Sequence, residues 1–461
     1  MAGRERLLVI GGDAAGMSAA SQARRRRGPD DLEITVVERG RHASYSACGI
    51  PYLVGGDVED ESSLIARTPE EHRERGIDLR MRTEATEIDT SGGRVRVRDL
   101  EGGGERWEHY DQLMVATGAV PARPRLAGAD AEGVHGIQVL DDGIRVRRVV
   151  ERDKPRRAVI IGGGYIGLEM AEALVRRGLE VALVDAADQP MGTLDPDMGA
   201  LVADALRGIG VTLHLGDPVE GFDTAEGRVT AVRTEAGALP ADLVVLGLGV
   251  RPGSDLARAA GIETGPTGGI VTDRRMRTRT ERVWAAGDCV ENRHLVSGAP
   301  VAIALGTHAN KQGRVAGINL GGGYATFPGV VGTAVAKICE YEVGRTGLNE
   351  REAETAGFEA LSVVVASTTR AGYYPGATEM RTKLVVERRS GRLLGAQIVG
   401  REGAAKRVDG LAIALWNGMT VEEMTGLDLG YAPPFSPTWD PVLIAARKAA
   451  ERVEEDLRST S

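Results

Sequence analysis

Short apolar runs recur along the chain at places where the backbone then turns on glycine. Leu7-Leu8-Val9-Ile10 runs into Gly11-Gly12, and Ala158-Val159-Ile160-Ile161 runs into Gly162-Gly163, 151 residues later. Each run has the length and apolar continuity of a strand buried on both faces. A helical pattern follows each, then a second apolar run that stops on an acid. The first copy predicts a helix over 14–27 and a strand over 32–37 ending at Glu38. The second predicts a helix over 165–177, with Ile166, Met170 and Leu174 four apart and Gly178 closing it, then a strand over 181–184 ending at Asp185. Strand, glycine turn, helix and strand make the unit of a parallel doubly wound sheet, so the chain contains two dinucleotide-binding units.

Two later runs end in the same style. Leu113-Met114-Val115-Ala116 leads into Thr117-Gly118, where a domain crossover is expected, and Val283-Trp284-Ala285-Ala286 leads into Gly287-Asp288. Past Gly321-Gly322-Gly323 the texture changes. Strand patterns over 360–365, 383–387 and 395–399 precede helical ones over 404–416, 421–424 and 440–449. These predict a separate α+β domain, with a charged, frayed tail after residue 450. The fold class is α/β: two doubly wound dinucleotide-binding domains plus a C-terminal α+β domain.

Length and composition agree. The 461 residues suggest about three domains, and 42% apolar residues suffice for packed cores. Only 4% are aromatic and the formal charge is −9, so neither a stacking platform nor a global attraction for nucleic acid is expected. Arg24-Arg25-Arg26-Arg27 is the local exception, readable as a solvated helix face or as a partner for phosphates. Three cysteines make no disulfide framework, which fits a reducing, cytoplasmic setting. The first apolar run is too short for a signal peptide, and no stretch approaches the ~20 apolar residues of a membrane span. No His/Cys cluster has metal-ligand spacing.

The second turn, Gly162-Gly163-Gly164-Tyr165-Ile166-Gly167, is a full G-x-G-x-x-G between strand and helix. Gly162 permits the tight turn, Gly164 lets the backbone approach a pyrophosphate, and Gly167 allows close helix–strand packing. Asp185 suits the adenosine ribose hydroxyls and repels a 2′-phosphate. No Arg or Lys follows in Ala186-Ala187-Asp188-Gln189, so NADH is favoured, with NADPH possible. The first turn, Gly11-Gly12-Asp13-Ala14-Ala15-Gly16, places Asp13 where the second glycine would stand.

Between the units, Ser44-Tyr45-Ser46-Ala47-Cys48-Gly49-Ile50-Pro51-Tyr52 carries a lone cysteine; Cys289 and Cys339 lie far downstream and read as structural. A lone thiol beside a redox cofactor cycles through a mixed disulfide with a small thiol, or through an oxidised sulfur such as a sulfenic acid. A helix N-terminus after Cys48 would favour its thiolate, the nucleophilic form.

Together these segments resemble the pyridine nucleotide-disulfide oxidoreductase family, most specifically in Ala116-Thr117-Gly118, Gly162 to Gly167 and Ala286-Gly287-Asp288. The resemblance implies an FAD domain over 1–120 and 253–323, an NADH domain over 152–247, and a dimerisation domain over 324–450. It matches Gly11, Gly16, Glu38, Thr117, Gly118 and Asp288 to FAD, and Gly162, Gly164, Gly167 and Asp185 to NADH. Ser44-x-x-x-Cys48-Gly49-x-Pro51-Tyr52 resembles the single-cysteine branch of coenzyme A-disulfide reductases, NADH oxidases and peroxidases, and persulfide reductases. Gln22, Arg25 and Ser44 match substrate positions. Tyr374 and Tyr431 match two tyrosines, the second of which reaches the partner subunit's site in a homodimer and protonates a leaving thiolate. Two departures stand out: Ala47 replaces an asparagine common in the reductases, and Asp13-Ala14-Ala15 replaces a histidine-bearing loop of the oxidases. Three readings follow: an NADH-dependent reductase of coenzyme A disulfide or a related persulfide, an NADH oxidase, and an electron-transfer or redox-sensing flavoprotein with a protein partner.

Overall fold

Glu5–Ile10 lies at the centre of a five-stranded parallel sheet, in the order Val283–Ala285, Gln112–Val115, Glu5–Ile10, Leu32–Val37 and Asp78–Arg80. Arg157–Ile161 holds the same place in a second parallel sheet: Val134–Gly136, Leu243–Leu246, Arg157–Ile161, Glu180–Asp185 and Thr212–Leu215. The repeat read from sequence is thus a repeat of sheet order. Both central strands are fully buried at their apolar positions, which explains why they run apolar without alternation. The computed structural model describes residues 4–459.

Helix Ala14–Arg26 packs along helix Gly306–Leu320 so closely that a Cβ on Gly313 would stand 2.2 Å from the Ala15 carbonyl oxygen. A two-stranded antiparallel ribbon, Ala119–Pro121 with Val250–Pro252, joins the two parallel sheets. Thr117 Oγ1 donates to the Gly253 carbonyl at 2.6 Å beside it, where the crossover was expected. The strand Val134–Gly136 and helix Leu140–Asp153, both of which begin ahead of residue 152, also belong with the second unit.

The C-terminal domain is a five-stranded antiparallel sheet, in the order Ala334–Ile338, Tyr341–Gly347, Leu393–Gly400, Glu379–Glu387 and Ala360–Thr368, covered by helices. The expected helix over 404–416 is a 3-10 turn, Ala405–Arg407, followed by helix Val408–Asn417. Over the described residues the tail after residue 450 is helical rather than frayed. Helix Pro441–Ser459 continues through it, with Val453 buried and pairs such as Lys448–Glu451 and Arg452–Glu455 spaced along its exposed face. No helix among the described residues is long and apolar enough to cross a membrane.

Candidate active site

Cys48 sits in a 3-10 turn, Ala47–Gly49, directly ahead of helix Ile50–Gly55. That short helix turns Ile50, Leu53 and Val54 inward, all at 0–1% exposure, into the core of the second dinucleotide unit. Gly55 faces Ala173 on helix Tyr165–Arg176. Burying three such side chains contributes about 1.5–3 kcal/mol each, enough to dock this turn firmly. The preceding loop is tied on its other side: Ser46 N–H donates to the Leu64 carbonyl at 2.8 Å, and Ala66 N–H donates to that of Ser44 at 2.8 Å. Ser44 N–H donates to the Gly12 carbonyl at 3.2 Å and Tyr45 N–H to Asp13 Oδ1 at 3.3 Å, so the segment leading to Cys48 is tied to the first glycine turn while the helix after it packs on the second unit.

The sulfur opens to the surface. The protein nevertheless pushes its thiol up: first by desolvating its inner side, then through the Glu169 carboxyl, with a smaller push from Asp288. This corrects the expectation of a thiolate favoured by the helix N-terminus, since the helix has only six residues and an acid faces the sulfur. Sequence reasoning missed Glu169. It stands on helix Tyr165–Arg176, one turn past Tyr165, and burial followed by repulsion from Glu172 raises its carboxyl to about 7. The only signal was the helical spacing that placed it beside the glycine turn.

Ser44 holds φ +50°, and its hydroxyl lies 2.9 Å from Nε2 of His72. His72 is wholly buried on helix Pro69–Glu74, and burial, then Arg67 and Arg75, lowers it to about 4, so it is neutral at physiological pH. Gln22 is half-buried beside Gly317, its Oε1 without a hydrogen-bond partner, and Arg25 is exposed on the same helix. On the same helix, Ser18 Oγ donates to Asn310 Oδ1 at 2.8 Å. The arginine run divides. Arg24 donates to the carbonyls of Leu32 and Gly76, and Arg27 pairs with Glu5 and bonds the Asp31 carbonyl, so these two fasten the helix end rather than face phosphates.

The two glycine turns are geometrical copies. Gly11 has φ +107° and Gly162 +101°; a Cβ on Gly16 would stand 1.9 Å from the Gly11 carbonyl oxygen, and one on Gly167 would stand 1.9 Å from that of Gly162. Glu38 accepts from Gly12 N–H at 2.7 Å, and Asp185 accepts from Gly163 N–H at 2.6 Å. Carboxylate oxygens so held keep lone pairs for ribose hydroxyls. Gly164 differs from its neighbours: it is exposed, and a Cβ there would meet only the Gly247 carbonyl oxygen, at 4.0 Å. No protein atom requires glycine at that point, which fits the approach of a ligand backbone. Burial raises the carboxyl of Asp13, to about 6, and that of Asp288 as well. Both turns thus fit dinucleotides.

Cys289 is fully buried against the carbonyls of Ala286 and Val115, a core residue as expected. Cys339 is half-buried, its N–H donating to Glu172 Oε2 at 2.7 Å. Tyr374 is half-buried in the turn over 371–376, while Tyr431 is half-exposed and raises the phenol of Tyr373, a neighbour the sequence did not suggest. Among the described residues no group of His, Cys, Asp and Glu could hold a metal ion.

Comparison with known proteins places these features in context. Residues 5–313 match the description pyridine nucleotide-disulphide oxidoreductase, and residues 333–441 match the dimerisation domain of the same proteins. The chain is 39% identical to the NAD(P)H coenzyme A polysulfide/persulfide reductase of Pyrococcus horikoshii, over 96% of this chain and 98% of that protein. It is 35% identical to an NADH oxidase of Methanocaldococcus jannaschii, over 97% and 99% respectively. The structure of a NAD-dependent persulfide reductase from A. fulgidus superposes with a TM-score of 0.95 at 41% identity, covering 98% of this chain and 84% of that one.

Proposed function

The chain belongs to the pyridine nucleotide-disulphide oxidoreductase family, and from that premise we propose that it reduces coenzyme A disulfide or a related low-molecular-weight disulfide or persulfide with electrons from NADH, carried through FAD to Cys48. The observation that carries this reading is one exposed thiol on a segment tied to the first glycine turn ahead of it and packed on the second dinucleotide unit after it. Residues 1–120 and 253–323 would hold FAD, with Gly11, Gly16, Glu38, Thr117, Gly118 and Asp288 lining it. Residues 152–247 would hold NADH through Gly162, Gly164, Gly167 and Asp185. FAD, when bound, accepts hydride from NADH and delivers an electron pair to sulfur.

The residues of the chain supply the rest. Cys48 thiolate attacks one sulfur of the substrate disulfide, forming a mixed disulfide and expelling a thiolate. Tyr431, reaching from the other subunit of a homodimer, protonates that leaving group, with Tyr374 as the second tyrosine of the site. Two electrons then cleave the mixed disulfide, returning Cys48 as thiolate and releasing the second thiol. The sum is NADH, one proton and one disulfide converted to NAD⁺ and two thiols. Gln22, Arg25 and Ser44 orient the substrate, and neutral His72 fixes the Ser44 hydroxyl. Glu169 holds or releases a proton near pH 7 beside the sulfur. Asp185, with Asp188 and no base in 186–189, supports NADH over NADPH.

Anaerobic assay of Cys48→Ser tests the reading. Disulfide-dependent NADH consumption should vanish; consumption that survives overturns it. The mass of the adduct on Cys48 in purified protein identifies the thiol. The Methanocaldococcus relative favours a second reading, an oxidase passing through a Cys48 sulfenic acid. Rapid NADH turnover with oxygen alone would select it.

A further inference from the structure

The segment after Asp185 is fastened at both ends, and its far end is held by the C-terminal domain. At the near end, Met191 N–H donates to the Gly163 carbonyl at 2.7 Å, and Pro190 packs where a Cβ on Gly163 would stand. Gly163 is the residue whose N–H holds Asp185. Met191 adopts φ +50°, a conformation a side-chain-bearing residue takes only when its surroundings impose it. Within the loop over 186–194, Leu194 N–H donates to the Met191 carbonyl at 2.8 Å and Gln189 Nε2 to that of Leu194 at 3.0 Å, so local bonds hold part of this shape.

The loop's far end is also held by residues 152 to 202 positions away in sequence. Arg345 Nη1 and Asn349 Nδ2 donate to the Thr193 carbonyl at 3.0 and 3.4 Å. Gln397 grips Asp195 twice: its Oε1 accepts from Asp195 N–H at 2.8 Å, and its Nε2 donates to Asp195 Oδ2 at 2.6 Å. Lys383 Nζ lies 3.2 Å from Asp195, 2.9 Å from Asp197 and 3.1 Å from Glu350. Lys383 and Asp195 are each 3% exposed and Gln397 is 1% exposed. Burying a lysine among carboxylates carries a desolvation cost that an apolar seam of the same size would avoid. What the ionic cluster adds is direction, because each bond fixes one atom of one segment.

We propose that Lys383, Gln397 and Asp195 form a positioning site that sets the loop over 186–194, and through Gly163 and Asp185 the affinity of the second turn for pyridine nucleotide. The proposal rests on the reading of that turn as the NADH site. None of the three belongs to the glycine turn or is Asp185, so each would act through the loop.

The test uses flavin-loaded protein. Dissociation constants for NADH are measured for wild type, Lys383→Met and Lys383→Arg, together with the rate at which pre-reduced enzyme is reoxidised by coenzyme A disulfide. Lys383→Met should weaken NADH about three- to thirtyfold, Lys383→Arg should recover part of the loss, and reoxidation should stay at the wild-type rate. A lowered melting temperature with unchanged NADH affinity overturns the proposal, since that is what simple adhesion between domains would give. Should Lys383→Met fail to fold, Asn349→Asp keeps the helix-capping oxygen but removes the amide donor to Thr193. It should weaken NADH in the same direction, and unchanged affinity there also overturns the proposal. Wild type that does not bind NADH overturns the functional reading itself, a result distinct from both.

Discussion

Cys48 and Glu169 titrate against each other, and their order decides the pH behaviour of the site. Burial holds Glu169 protonated up to about pH 7, well above an ordinary carboxylate. Its charge therefore appears only as the pH rises past that point, and it then opposes formation of the Cys48 thiolate. Glu169→Gln removes this like charge at every pH while leaving the desolvation of the sulfur in place. The alkylation rate of Cys48 in the reduced holoenzyme should rise at lower pH in Glu169→Gln than in wild type. The two curves should coincide below about pH 6, where the wild-type acid is already neutral. Coincident curves above pH 8 would remove Glu169 from the control of Cys48.

At the scale of elements, the glycines of the second turn separate fold from binding. A Cβ on Gly167 would collide with the Gly162 carbonyl oxygen at 1.9 Å, so Gly167→Ala should cost more than about 2 kcal/mol and lower the melting temperature of the whole protein. A Cβ on Gly164 meets nothing nearer than 4.0 Å, so Gly164→Ala should melt like wild type yet bind NADH more weakly. Calorimetry and NADH titration check the pair, and equal melting of both variants would refute the distinction. These glycines and their partner acids were legible in the sequence because strand, turn, helix and acid lie within about 25 residues of one another. Glu169 was not, because its burial comes from elements brought in from elsewhere. The docking of helix Ile50–Gly55 on Ala173 and the grip of Lys383 on Asp195 escaped for the same reason. The persistence of helix Pro441–Ser459 was readable in part: its i,i+3 and i,i+4 charge pairs are local, but the contact that buries Val453 is not. Tyr373 shows the limit of motif matching, since adjacent tyrosines are equivalent in a pattern and only the fold shows which one meets Tyr431.

The whole molecule raises the question of which chain completes which site. The groups acting on the Cys48 sulfur come from the two dinucleotide units, while Tyr431 sits half-exposed on the C-terminal domain with Tyr373. That domain also exposes Ile413, Trp416, Phe435 and Trp439, with Phe435 75% accessible. Residues 333–441 match a dimerisation domain, and a two-fold dimer through it would pair each C-terminal domain with the opposite site. Mixing inactive variants decides the matter. Cys48→Ser lacks the nucleophile, and Tyr431→Phe lacks the acid. In a mixed dimer with exchange across the two-fold axis, one site combines an intact Cys48 from one chain with an intact Tyr431 from the other, and the second site lacks both. Random re-pairing makes half of the dimers mixed, each with one working site of two, so activity should recover to about one quarter of wild type. If Tyr431 served its own chain, every site would lack one group and the mixture would stay as inactive as its parents.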